Sequence, residues 1–286
     1  MRLANVTDRA HLVVTNSAGS DVLVDIADLS DGRFGPSPTA LYDAWDEFRA
    51  WADQIEADAE TGVAVDRSAL AAPSPRPRQV FAVGLNYNEH AAEAGFEPPT
   101  DLPPVFTKYV SAFSGPDTEV RIPSGGNVDW EVELVAVMGK QAQHVEEDDA
   151  WDYVAGLTVG QDLSERITQL RGPAPQFGLG KSYPGFAPQG PFLVTPDELP
   201  DRDNLEIGCR IGDEVVQCGR TNEMIFNVPA LVSKISENVT LYPGDVIFTG
   251  TPAGVGLGRK PQRFLKSGET LHSWIEGVGE MTQHLV

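Results

Sequence analysis

The chain has 286 residues, 41% of them hydrophobic and 22% charged, the balance of a soluble globular protein with one large domain or a small and a larger one. Forty-two acids stand against 21 Lys and Arg, a formal net charge of −21; such a surface repels phosphate backbones and excludes general nucleic-acid binding. No run of about eighteen apolar residues exists, which excludes a membrane-spanning helix, and the N-terminus carries early acids without an apolar stretch, so the expected location is the cytoplasm.

Residues 1–71 alternate short strand-like pieces with a helix. His11 to Thr15 and Val22 to Ile26 read as strands about a turn at Asn16-Ser17-Ala18-Gly19. Tyr42 to Ala57 carries Trp45, Phe48 and Trp51 at helical spacing, an amphipathic helix whose aromatics pack inward. Ala72-Pro73-Ser74-Pro75-Arg76-Pro77-Arg78 is a stiff, proline-rich linker, and it divides a small N-terminal α+β domain (1–71) from a second domain (79–286). Strands are predicted at 79–83, 130–138, 156–161, 190–194, 206–211, 214–219 and 245–249, with helices at 164–170 and 228–236. This is a strand-rich α+β pattern, not a regular βαβ series. The Gly250 to Gly258 run has neither a following helix nor a P-loop context, so it is no nucleotide fingerprint; it remains a loop where backbone can approach a neighbour closely.

The two cysteines, Cys209 and Cys218, flank a hairpin turning at Gly212-Asp213. A two-residue loop sets Cys209 opposite Val216, so no disulfide is expected. The five histidines are scattered and make no zinc pattern.

The chemistry concentrates in Asp129-Trp130-Glu131-Val132-Glu133-Leu134. Residues two apart on a strand share a face, so Glu131 and Glu133 project side by side. Their apolar flanks argue against a wholly solvated strand, and two buried like charges repel; a cation between them resolves the conflict. Asp162 ends an apolar strand-like run and is a candidate third ligand, although it reads equally as an N-cap or turn residue. Three carboxylates form a hard oxygen site suited to Mg²⁺ or Mn²⁺, with Ca²⁺ also acceptable. His90 and Glu93 lie three apart and meet on one face if their segment is helical. They read either as an exposed pair at a helix start or as an acid–base dyad in which Glu93 orients the imidazole. Only six of the bases are lysines; Lys108 and Lys181 are those flanked most closely by aromatic, glycine or small residues. Each is either a surface lysine or a holder of substrate carboxylate or oxyanion.

These motifs, in order, resemble the fumarylacetoacetate hydrolase family. They run from Val83-Gly84-Leu85-Asn86-Tyr87 with His90 and Glu93, through Phe106-Thr107-Lys108, Asp129 to Leu134 and Asp162-Leu163-Ser164-Glu165-Arg166, to Gly180-Lys181-Ser182, Pro243-Gly244-Asp245 and Thr249 to Gly256. The resemblance implies a mixed β-sandwich roll, usually as a homodimer. It implies Glu131, Glu133 and Asp162 as metal ligands, His90 and Glu93 as a water-activating dyad, and Lys181 as the group that stabilises developing negative charge. Lys108, Gln169 and Thr251 would line the pocket of a small-molecule 2-oxo acid. The implied reaction is metal-dependent hydrolysis of a C–C bond in an acylpyruvate-like or 2,4-diketo acid, through a metal-stabilised pyruvate enolate. Alternatives are a 2-oxo acid decarboxylase or tautomerase on the same site and, more distantly, a non-catalytic metal-stabilised binding protein. Two departures stand out: Gln161 where many relatives have Asn, and Pro184 where many have Asp.

Overall fold

The computed structural model describes residues 1–55 and 57–286. It is built on a twelve-stranded mixed sheet and a five-stranded one. The elements used below are β1 (Arg2–Val6), β2 (Arg9–Thr15), β3 (Asp21–Asp25), β4 (Val80–Val83), β5 (Val105–Phe106), β6 (Asp117–Val120), β7 (Val132–Met138), β8 (Val154–Gln161), β9 (Ala187–Val194), β10 (Glu206–Ile211), β11 (Glu214–Arg220), β12 (Val246–Phe248), β13 (Thr270–Ile275) and β14 (Gly279–Leu285). The helices are α1 (Pro38–Asp43), α2 (Trp45–Ala52), α3 (Asn88–Glu93), α4 (Arg166–Gln169), α5 (Phe177–Gly180) and α6 (Val228–Asn238).

Among these elements the large sheet runs β3-β2-β1-β9-β8-β7-β12-β4-β5, and the smaller one β11-β10-β13-β14-β6. Strands β7 and β8 are buried along their whole length. That explains their near-continuous Val, Leu and Ala composition, since a strand covered on both faces has no solvent side to make polar. β13, by contrast, alternates buried and half-buried residues, the period-2 signature of a strand with one wetter face. β1 pairs antiparallel with β9, Arg2 opposite Val194, so the N-terminal strands extend the large sheet. The proline-rich stretch is fastened to the turn before β12, with the Ser74 hydroxyl donating to the Gly244 carbonyl at 2.6 Å. No helix among the described residues is long and apolar enough to cross a membrane.

Several sequence expectations need correction. The helix expected over Tyr42 to Ala57 is two, α1 and α2, interrupted at Ala44; Glu56, within the expected span, lies outside the described residues. Trp45, Phe48 and Trp51 do pack together, with Phe34, as ring pairs 5.2–6.0 Å apart. The helix expected at 164–170 is only α4, because Ser164–Glu165 pairs as a strand with Val128–Asp129. Glu165 then caps α4, its carboxylate accepting from Ile167 and Thr168. In the β10–β11 hairpin a bulge after Cys209 shifts the register by one, so Cys209 faces Gln217, not Val216. Both thiols are free, Cys209 buried and Cys218 exposed.

Candidate active site

The strand expected at 130–138 starts later than that. Val128–Asp129 pairs with Ser164–Glu165, and β7 begins only at Val132. Trp130 and Glu131 bridge the two pieces. β7 pairs with β8 so that Glu133 faces Gly160 and Val132 faces Gln161, which brings Asp162, the next residue, alongside Glu131. The Asp162 amide donates to the Glu131 carbonyl at 2.9 Å. Glu131, Glu133 and Asp162 are all buried, and each offers a carboxylate oxygen within 4.8 Å of the others.

Buried carboxylates at this separation are strongly repulsive unless cations answer them. Lys108, Arg166 and Lys181 are the only buried Lys or Arg among the described residues, and all three are here. Lys181 Nζ donates at 2.7 Å to Glu131 Oε2 and at 2.7 Å to Asp162 Oδ2. Lys108 Nζ donates to Asp162 Oδ1 and to the Lys181 carbonyl. Arg166 donates to Glu131 Oε1 at 2.7 Å and lies 2.6 Å from Asp129 Oδ1. Among the described residues Glu133 takes only the Gly250 N–H, at 2.8 Å.

The titration behaviour follows this uneven pairing. Burial opposes ionisation of Glu131, but Lys181 and Arg166 outweigh it and hold the carboxyl well below the usual range. Glu133 lacks such partners: burial, then the charges of Asp162 and Glu131, raise it well above the ordinary value. Burial lowers Lys108, whereas Asp162 and Glu131 overcome burial at Lys181 and raise it.

Counting Asp129, four buried carboxylates face three buried cations. The cluster is one positive charge short, and the shortfall is felt at Glu133. An all-oxygen donor set with excess negative charge fits a hard divalent cation and not zinc or copper. Glu131, Glu133 and Asp162 are the residues that would hold it.

The remaining expected residues fall at different distances from this centre. His90 and Glu93 are both on α3, with Nδ1 3.4 Å from Glu93 Oε2. Burial raises the Glu93 carboxyl, but the hydrogen bonds from His90 and the Gly254 N–H bring it below the usual value. The Lys108 amine is engaged inside the cluster. Gln169 is buried and accepts from Arg166 at 2.8 Å. The Thr251 hydroxyl donates to the Val132 carbonyl at 2.8 Å and, with Thr249 on Leu134, staples the glycine loop to β7.

Two buried glutamines complete the site, and the sequence reading did not assign them this role. Where the strand breaks, the N–H groups of Glu131 and Val132 leave the ladder and must find other acceptors. Gln161 Oε1 accepts from Glu131 at 2.9 Å, while its amide donates to Ser273. Gln217, from the smaller sheet, accepts from Val132 at 3.0 Å and donates to Thr251 Oγ1 and the Pro252 carbonyl. Gln161 thus ties the strand break to the smaller sheet through Ser273. For Gln217 no local signal exists, since a single Gln in a hairpin strand reads as surface.

The sequence profile described as fumarylacetoacetate (FAA) hydrolase C-terminal matches residues 79–286. Human "oxaloacetate tautomerase FAHD2A, mitochondrial" is 46% identical over 216 residues, covering 75% of this chain and 68% of that protein. A crystal structure from Mycobacterium smegmatis, described provisionally as an HpcE protein, is 53% identical with a TM-score of 0.94, covering 100% of this chain and 99% of that one. Maleylpyruvate hydrolase from Sphingobium sp. SYK-6, solved with manganese(II) and pyruvate, is 26% identical with a TM-score of 0.75, covering 100% and 99%. The named relatives are enzymes, tautomerases and hydrolases alike.

Proposed function

Because the chain belongs to the fumarylacetoacetate hydrolase family of enzymes, we propose that it is a divalent-metal-dependent enzyme that forms and discharges the enolate of a 2-oxo acid, with keto–enol tautomerisation of an oxaloacetate-like 2-oxo diacid as its leading activity. The observation that carries this reading is the buried Glu131, Glu133 and Asp162 cluster with Lys181 bonded to two of its three members. The choice of tautomerisation is supported by the 46% identity to a protein bearing that activity in its name. Glu131, Glu133 and Asp162 would hold Mg²⁺ or Mn²⁺. When bound, such an ion supplies Lewis-acid polarisation of a 2-oxo carbonyl.

The chain's own residues do the rest. Lys181 stands with its charge fixed by Glu131 and Asp162, so its ammonium needs no reorganisation as negative charge grows on the 2-oxygen. His90, oriented by Glu93, takes a proton from C3 of the ketone and returns it in the reverse direction; the enol oxygen gains or loses the matching proton. Gln169 and Thr251 line the approach, and Arg166 keeps Glu131 in place. We take residues 1–71 as a small N-terminal unit, 72–78 as its linker and 79–286 as the catalytic domain. We also take the enzyme as a homodimer. Tyr109, Ile167, Leu170 and Leu179 are about half or more exposed on the adjoining 105–110, α4 and α5 segments, an apolar rim suited to a second copy.

A second reading, C–C hydrolysis of an acylpyruvate or related diketo acid, is supported by the His90–Glu93 dyad and by the likeness to maleylpyruvate hydrolase. There His90 would take its proton from a water that attacks the 4-oxo carbon, and the same enolate would leave.

The test is a metal-loaded assay on two substrate types. Enol-oxaloacetate is followed by loss of its ultraviolet absorbance, and acylpyruvates by appearance of pyruvate and a second carboxylic acid. Metal-dependent acceleration of enol decay without CO₂ release is expected. Stoichiometric pyruvate plus a second acid, with no enol acceleration, would select hydrolysis instead. No metal-dependent rate on either type would overturn both readings.

A further inference from the structure

The Gly250 to Gly258 loop is not used up by the carboxylate cluster, and its glycines have different reasons to be glycine. Gly250 and Gly254 have φ of 99° and 110°, where any side chain is strained. Gly258 has no such backbone demand. Its constraint is space: a Cβ there would lie 2.3 Å from Glu93 Cγ, 2.4 Å from Cδ and 2.7 Å from Oε1. The atoms it would strike all belong to the dyad's carboxylate side chain.

The same loop grips that side chain from another direction. The Gly254 N–H points at both Glu93 oxygens, at 3.2 and 3.1 Å. The other end of the α3 segment is fastened to the start of the loop, where Asn86 Nδ2 donates to the Thr249 carbonyl at 2.8 Å. On its far side the loop holds the cluster, with the Leu257 N–H donating to Asp129 Oδ2 at 2.7 Å and Arg166 joining Asp129 to Glu131. One loop therefore touches Glu93 through Gly254 and Gly258 and the metal-ligand network through Leu257.

We propose that the Gly254 to Gly258 loop is the positioning element of the His90–Glu93 dyad, and that Gly258 is glycine so that Glu93 can stand against it. The inference rests on the dyad reading of the proposed function. Gly258 touches no reacting atom; it acts through Glu93, and Glu93 through His90. A displacement of about 1 Å at such a remove is enough to lose about 10²-fold in rate.

The experiment compares Gly258→Ala, Glu93→Ala and the double variant, with turnover measured on Mn²⁺-loaded protein and thermal midpoints on metal-free protein. Gly258→Ala is expected to lower kcat by about 10²-fold with Mn²⁺ affinity unchanged. The double variant should be no slower than Glu93→Ala, because the clash has no target once the carboxylate is gone. The metal-free midpoint should fall with Gly258→Ala in the native background. It should not fall in the Glu93→Ala background, where replacing a loop glycine by alanine restricts the unfolded chain and is neutral or stabilising. If Gly258→Ala fails to fold alone, folding of the double variant gives the same support. Full kcat in Gly258→Ala beside an impaired Glu93→Ala overturns the inference alone, as does equal loss of midpoint in both backgrounds. Full kcat in Glu93→Ala takes down the dyad and this inference together.

Discussion

The two ends of the short strand β12 carry buried acids in opposite circumstances. At its start, Asp245 accepts from the Gln79 N–H and from Gln79 Nε2, each at 2.8 Å, and from the Tyr242 N–H, also at 2.8 Å. Just past its end, the Gly250 N–H meets Glu133, which lies against two more carboxylates. Burial raises both acids above their ordinary values, and at Glu133 the charges of Asp162 and Glu131 add to it. Asp245 is what a buried carboxylate looks like when the fold needs it: its oxygens are spent on N–H donors that fasten β4 and the 242–245 turn. Glu133, under the proposed function, is one whose partner is to come from outside the chain. Burial alone does not mark a functional acid; the lack of donors around it does.

The largest effect should follow from removing the cation nearest the reaction. Lys181→Met is expected to lower kcat by about 10²–10³-fold in a metal-loaded enol-decay assay. An unchanged rate would mean that the Glu133 end of β12 is as purely structural as the Asp245 end. His90→Asn should lower the same rate by about 10²-fold, with Mn²⁺ affinity by calorimetry retained. Gln217→Met removes the acceptor for the Val132 N–H and should weaken Mn²⁺ binding by about tenfold, since the strand break then loses one of its two clamps. Asp245→Asn should leave kcat alone and lower stability by about 1–3 kcal/mol in urea unfolding, because one amide hydrogen pair must face N–H donors. A loss of turnover comparable to that in Lys181→Met, at full stability, would erase the distinction between the two ends.

Much of this was legible in the sequence where the signal was local. The Val- and Leu-rich runs of β7 and β8, the acid pair on one of them and Asp162 at the end of the other were all readable, because a strand covered on both faces leaves a continuous apolar imprint. The break at Trp130 and Glu131 was not, since it depends on pairing between Val128–Asp129 and Ser164–Glu165. Asp129, Arg166 and Gln217 were opaque for the same reason: the carboxylate partners of Arg166 lie 35 and more residues away, and Gln217 reaches Val132 across 85. The bulge after Cys209 and the split between α1 and α2 were missed because hairpin and helix patterns continue smoothly through both positions. Gly258 shows the limit most plainly, since its reason for being glycine is a side chain far along the chain.

The central claim is that Glu133 waits for a cation, and the direct measurement is a calorimetric titration of Mn²⁺, with oxalate as an enolate mimic, into the wild type and Glu133→Gln. Metal-free urea unfolding is run on both. One saturable site per chain is expected in the wild type, with loss of that site in Glu133→Gln and metal-free stability no lower in the variant, because a repelled carboxylate has been removed. Undiminished binding in Glu133→Gln, or a loss of metal-free stability like that expected for Asp245→Asn, would contradict the claim.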